Sequence, residues 1–175
     1  MSLCTWGSTI TDNLSIESEL NKRIGKAAIT LSRLTKRVWT NNKLSDHTKV
    51  NVYKACVIST LLYGSESWTM RAHEEKRLNV FHMRCLRHIL EITWQDKVTN
   101  KVVLVKAGIP SLYILLKQRH MRLLGHVTRM KDGRIPKDFL YGELATGKRP
   151  TGRPQLRFKD VCKRDFQALG INIDY

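Results

Sequence analysis

The residues best suited to chemistry form a basic run near the C-terminus, beginning at Gly147-Lys148-Arg149-Pro150-Thr151-Gly152-Arg153-Pro154. From Lys148 to Arg164 there are seven Lys or Arg residues and a single acid, Asp160. Two prolines and two glycines disfavour a helix or a central strand in the first half of this run. A stiff cationic loop that leads into a helix suits a polyanion, and phosphate is the commonest one. A solvated linker is the alternative, and the basic helices before the loop favour the phosphate interpretation.

Two known phosphate or DNA motifs are only partly matched in this region. Residues 142–148 have the spacing of a nucleotide-binding P-loop as far as Lys148, but Arg149 stands where a hydroxyl would bind magnesium. Thr151-Gly152-Arg153-Pro154 is similar to the Arg-Gly-Arg-Pro core of AT-hooks, with Thr151 in place of the first arginine. We therefore expect no nucleotide site and keep minor-groove binding as an alternative to phosphate contacts.

Catalytic and metal-binding arrangements are harder to find. His82, Cys85 and His88 are three residues apart on a predicted helix, but this spacing spreads them over about 240° of the helical wheel. We interpret them as a core cysteine flanked by surface imidazoles. No adjacent aspartate pair is present to hold two magnesium ions. The sequence thus predicts neither catalysis by this chain alone nor any metal or other cofactor.

Composition points to an anionic partner. The 175 residues include 31 Lys or Arg and 15 Asp or Glu, which gives a net charge of +16. Such a field attracts nucleic acid or an anionic membrane surface and says little about fold. No apolar run is long enough to span a membrane, and no predicted helix presents an apolar anchor for a membrane surface. Four widely spaced cysteines favour reduced thiols and an intracellular location, in the nucleus or the cytoplasm.

Apolar periodicity predicts an all-α fold, a bundle of about six helices with a basic loop containing Pro and Gly near the C-terminus. The first eleven residues resemble a strand, without a hairpin partner in reach. On the first helix, Lys22, Arg23 and Lys26 are placed opposite the apolar stripe. The second helix is the most apolar and should be the centre of the core, with Gly64 as its stop. We expect helices over Ser15–Trp39, Ser45–Tyr63, Thr69–Leu90, Asp96–Ala107, Ser111–Met130 and Pro154–Leu169, with a short piece at Pro136–Leu144.

The fifth predicted helix has two separate faces. With Leu112 at zero on the wheel, its apolar residues fill an arc of roughly 120°, and its cations lie between about 260° and 340°. A helix with one core face and one cationic face can bind phosphates through its cationic side chains. Trp39, Trp68 and Trp94 lie near helix ends, where packing between helices and base stacking are both possible roles. The predicted nucleic-acid-binding residues are Arg119, Arg122, His126, Arg129, Lys148, Arg149, Arg153, Arg157 and Lys159.

Several blocks, taken in order, resemble one family. Ser8-Thr9-Ile10, Leu61-Leu62-Tyr63-Gly64-Ser65-Glu66-Ser67-Trp68, Leu124-Gly125-His126-Val127-Thr128-Arg129-Met130 and the run from Gly147 to Asp160 are similar to the C-terminal part of reverse transcriptases of non-LTR, LINE-like retrotransposons. The chain departs from that pattern at Thr5-Trp6-Gly7-Ser8, where such proteins usually read Tyr-Leu-Gly-Ser.

The resemblance implies a division of the chain and a function. Residues 1–12 would be a remnant of the last palm strand, 13–108 a thumb-like helical bundle, and 109–175 a basic C-terminal helical region. The palm with its catalytic aspartates and the endonuclease domain would lie before Met1. The implied function is to hold a template–primer of RNA and DNA through phosphate contacts, without a catalytic centre. A host-retained module that binds DNA or another protein is the alternative.

Overall fold

The computed structural model describes residues 2–5, 8–11, 16–141 and 158–168. Within these ranges the chain is a bundle of α-helices with one hairpin at its N-terminus, which confirms the predicted all-α bundle. No helix in these ranges is both long and apolar enough to cross a lipid bilayer. The elements are β1 (Ser2–Thr5), β2 (Ser8–Thr11), α1 (Glu17–Arg33), α2 (46–61), α3 (Ala72–Ile89), α4 (Asn100–Ala107), α5 (Leu112–Thr128), α6 (Ile135–Tyr141) and α7 (Phe158–Ala168).

The N-terminal strand has a hairpin partner, so the expectation of an unpaired strand was wrong. β1 and β2 pair antiparallel, with Leu3 opposite Ile10. Only Trp6 and Gly7 separate the two strands in the sequence. A two-residue connection that contains glycine is a common hairpin spacing, and it is the local signal from which this pairing can be predicted.

α1 begins and ends close to the predicted limits, and its apolar stripe is confirmed. Leu20 and Ala27 are fully buried on it. A wider π-helical turn, Thr35–Trp39, continues the helix. There the buried Trp39 ring donates from Nε1 to the carbonyl of Leu31 at 2.7 Å. The predicted first residue of this helix, Ser15, lies outside the described residues.

Arg23 corrects the predicted charge pattern of α1. The sequence prediction put it on the solvated face, whereas the structure leaves only 5% of it exposed. Its Nε donates to Oε1 of Glu19 at 2.6 Å, and its guanidinium lies 4.7 Å from the centroid of the Tyr63 ring. The reason is its position three residues after Leu20 and four before Ala27, which puts it on their face of the helix.

α2 begins as predicted, after Ser45, and ends at Leu61, two residues before the predicted end at Tyr63. The Oγ of Ser45 accepts a hydrogen bond from the amide of Thr48 at 3.2 Å, so Ser45 is the N-cap. Gly64 follows the helix with φ of 76°, a left-handed conformation that glycine adopts without steric cost. Between these limits the helix runs as Asp46–Val52, widens into π-helical turns at Tyr53–Ile58 and closes with Ser59–Leu61.

The core is centred on α2, as predicted. Tyr53, Val57 and Leu61 are fully buried there. On α3 the thiol of Cys85 is buried as expected, but His82 is fully buried too. The prediction of a surface imidazole at position 82 was therefore wrong. Nδ1 of His82 lies 2.9 Å from the Tyr53 hydroxyl. Tyr53 is 29 residues away in the sequence, so the periodicity of a single helix cannot predict this contact.

The fourth predicted helix is shorter than expected at its start. α4 begins at Asn100, because Trp94–Asp96 forms a 3-10 turn and Lys97 adopts a left-handed φ of 48°. Its end is as predicted, with Gly108 at φ of 59°.

α5 joins the same apolar core through Leu112 and Leu116, although the predicted division of the chain falls just before it. The observed limits of α5 and α7 lie inside the predicted ones, whereas α6 begins at Ile135, one residue before its predicted start. In α7, Val161 and Cys162 are buried. The predicted start of that helix at Pro154 lies outside the described residues.

Candidate nucleic-acid interface

α5 has one buried face and one exposed cationic face, as its sequence predicts. Leu112, Leu116, Leu124 and Val127 are buried on the first. Arg122, His126 and Arg129 are exposed on the second. None of these three side chains has an ion-pair or hydrogen-bond partner among the described residues. We call Arg122, His126 and Arg129 the α5 ridge.

Arg119 has a different environment from the α5 ridge. Its Nη1 donates to Oε1 of Glu66 at 2.5 Å and to the carbonyl oxygen of Leu62 at 3.0 Å. Its side chain is 28% exposed and that of Glu66 is 38% exposed. On the wheel Arg119 lies about 20° from Leu112, at the border of the apolar arc, which accounts for its partial burial. Arg119 therefore ties α5 to the turn after α2, and Glu66 offsets its charge.

Gly125 makes room for one side chain of the ridge. A Cβ atom added at this position would lie 3.2 Å from Nη1 of Arg129. The guanidinium of Arg129 thus folds back over the preceding helical turn. Arg129 is exposed and has no hydrogen-bond partner among the described residues, so a phosphate oxygen can accept from its guanidinium N–H groups.

A buried polar pair docks α7 against α5. Nδ1 of His120 lies 3.0 Å from Oδ2 of Asp165, and both residues are 3% exposed. The ring of Phe158 meets the His120 ring edge-on at 5.8 Å between centroids. Nζ of Lys117 lies 3.9 Å from Oδ1 of the same aspartate. His120 lies within the apolar arc of the wheel, so its burial was predictable, but its partner 45 residues later was not.

α7 is also held to α3. Nη2 of Arg164 donates to Oε1 of Glu75 at 2.7 Å. Burial, with a smaller contribution from the charge of Asp165, raises the pKa of Cys162 to about 12, so this thiol stays protonated. These contacts fix the C-terminal helix on the bundle and leave Lys159 and Lys163 exposed.

The structure brings together only part of the predicted nucleic-acid-binding set. On the wheel the α5 ridge points about half a turn away from His120, the side on which α7 docks. Lys159 lies on α7, which packs against α5. The ridge faces away from α7, so the ridge and Lys159 do not form one surface. Arg119 is engaged with Glu66. The other predicted residues, Lys148, Arg149, Arg153 and Arg157, lie outside the described residues.

The cluster around His82 holds neutral groups. Burial raises the pKa of the Tyr53 hydroxyl well above its usual value and lowers that of His82 to about 4. Burial also raises the pKa of the Cys85 thiol to about 11. A metal ligand or nucleophile at Cys85 would require the thiolate, which this environment disfavours. The geometry fits a hydrogen-bonded contact between α2 and α3.

The three tryptophans among the described residues separate into two kinds. Trp39 and Trp68 are buried at 2% and 6% exposure, which confirms packing between helices for these two. Trp94 is 85% exposed on the turn before α4. Its ring is available to an aromatic ligand, which the ring of Trp39 or Trp68 is not.

The chain is similar to a transposon-derived protein. It is 27% identical over 159 residues to an uncharacterized transposon-derived protein of Caenorhabditis elegans. The match covers 89% of this chain and 56% of the relative, so the chain spans about half of that protein's length. No protein-family model matches the chain, and no solved protein structure matches it.

Proposed function

We propose that this chain is the non-catalytic C-terminal part of a retrotransposon reverse transcriptase and holds paired template and primer through their phosphates. The observation that carries the proposal is the α5 ridge, a row of two arginines and a histidine on a helix whose other face is in the core. The net charge of +16 and the similarity to a transposon-derived protein support it.

The geometry of α5 fits backbone contact rather than base reading. Leu112 and Leu116 pack in the core, and Arg119 fixes the helix to the turn after α2. The ridge is therefore held on a rigid support. Arginine donors bind phosphate oxygens with little regard to sequence, so we expect weak base preference. The basic segment from Lys148 to Arg157, which lies outside the described residues, would add further phosphate contacts.

Two substitutions in the ridge test this function. Arg122→Gln with Arg129→Gln should weaken binding to every duplex and RNA–DNA hybrid alike. Each lost phosphate contact flattens the dependence of log affinity on log salt by about 0.9, so the slope should fall by nearly two units. Binding is measured by fluorescence anisotropy at several salt concentrations.

A matched control separates the ridge from net charge. Lys26 and Arg33 are exposed cations on α1, and replacing both by Gln removes the same charge from another surface. We expect that double variant to keep most of the wild-type slope. Equal effects from the two pairs would contradict the role of the ridge. A loss confined to A·T-rich DNA after Arg149→Gln and Arg153→Gln would instead support minor-groove binding by the basic segment that contains them.

A further inference from the structure

The turn between α3 and α4 combines three uncommon features. Glu91 and Lys97 adopt left-handed φ angles of 55° and 48°, which side chains with a Cβ rarely take. Between them Trp94 is 85% exposed. Such backbone conformations persist only where the surroundings impose them, and they cluster at binding sites.

Hydrogen bonds hold this turn in place. Oδ2 of Asp96 accepts from the amide of Thr93 at 2.6 Å and from its hydroxyl at 2.8 Å. Arg87 reaches across from α3, and its Nη2 donates to the carbonyl of Val98 at 2.8 Å. Its Nη1 donates to Oδ1 of Asn100 at 2.9 Å. The backbone that carries Trp94 is thus fixed in advance, which lowers the entropy lost on binding.

The chemistry around Trp94 suits an anionic aromatic ligand. Lys97, Lys101 and Lys106 are exposed in the same segment. The acid closest in sequence, Asp96, has its carboxylate engaged by Thr93, and these bonds lower its pKa, with a smaller contribution from Lys106.

We propose that Trp94 is a stacking platform for an unpaired base of single-stranded nucleic acid, with Lys97, Lys101 and Lys106 serving its phosphates. This inference rests on the proposed function and extends it, because the α5 ridge serves paired strands and the Trp94 turn an unpaired one. Stacking on an aromatic ring accepts any base, since every base has a π-face. The positive charge of the segment complements a phosphate backbone.

Substitution of Trp94 tests the platform. Trp94→Ala should weaken binding of oligo(dT) of about 12 nucleotides by about 5- to 150-fold. Trp94→Phe keeps an aromatic face and should retain part of the affinity. Affinity for a duplex of similar length should stay within about two-fold of wild type, because stacking needs an unpaired base. Anisotropy titrations of both ligands, at one salt concentration, give these ratios.

The control variant is Val105→Ala, which truncates another apolar side chain, 81% exposed on α4, and should change neither affinity. Thermal unfolding of Trp94→Ala should match wild type, since the ring is exposed. Unchanged oligo(dT) affinity in Trp94→Ala would overturn the platform, and so would an equal loss for both ligands. In both cases the function proposed for the ridge still stands, provided that the wild-type protein binds the duplex. Wild-type protein that binds neither ligand at low salt would overturn both.

Discussion

His82 is a single buried residue whose ionisation should control stability. Burial lowers its pKa from 6.5 to about 4, while the unfolded chain keeps the ordinary value. Below about pH 6.5 the unfolded state therefore binds a proton that the folded state does not, and the free energy of unfolding falls as the pH falls towards 4. We expect this group to remove about 1 kcal/mol per pH unit across that window. Urea unfolding at several pH values measures it.

Two asparagine variants isolate the contribution of His82. His82→Asn can still reach the Tyr53 hydroxyl from the place of Nδ1, but it does not titrate. We expect it to be less stable than wild type at neutral pH and to lose less stability between pH 6.5 and 4. His88→Asn removes an exposed imidazole from the same helix and should leave the profile unchanged. A His82→Asn profile as steep as that of wild type would show that another group titrates.

The buried polar residues mark the limit of what sequence patterns predict. The apolar stripes predict that α1, α3 and α5 form, that α2 lies at the centre, and which face of each helix is buried, except at Arg23 and His82. The ridge on α5 follows from the same periodicity. The pairs Tyr53–His82 and His120–Asp165 do not, because each joins helices far apart in the chain. Arg119 was likewise predicted as a phosphate ligand, because helix periodicity does not reveal that its guanidinium donates to Glu66.

At the scale of elements, the docking of α7 depends on a few polar contacts. Asp165→Asn removes the charge that faces His120 and leaves a buried imidazole with a weaker partner. We expect a loss of about 1–3 kcal/mol in the free energy of unfolding, the usual cost of a compromised buried hydrogen bond. Hydrogen exchange should also speed up in residues 158–168 more than in α2, if docking of α7 is what the pair maintains.

An exposed acid in the same helix provides the control. Asp160 lies on the surface of α7, and Asp160→Asn makes the same chemical change without a buried partner. That variant should have exchange rates close to those of wild type. Exchange in α7 that does not respond to Asp165→Asn would mean that the apolar contacts of Val161 and Cys162 hold the helix without the polar pair.

At the scale of the whole molecule, positive charge is spread over the surface rather than confined to one helix. Exposed cations lie on α1, α3, α4, α5 and α7, and the net charge is +16. A field of this kind attracts polyanions from a distance, and its strength depends on ionic strength. Among the described residues, we propose the α5 ridge and the Trp94 turn as the two surfaces that contact such a polyanion directly.

The measurement that tests the proposed function most directly is the affinity of the wild-type chain for an RNA–DNA hybrid between about 50 and 200 mM salt. We expect binding at the lowest salt, with log affinity falling linearly against log salt by about 0.9 for each phosphate contacted. With the two ridge arginines and further cations engaged, the slope should exceed two units. No binding at about 50 mM salt, or an affinity that does not change with salt, would contradict phosphate contact as the function of this chain.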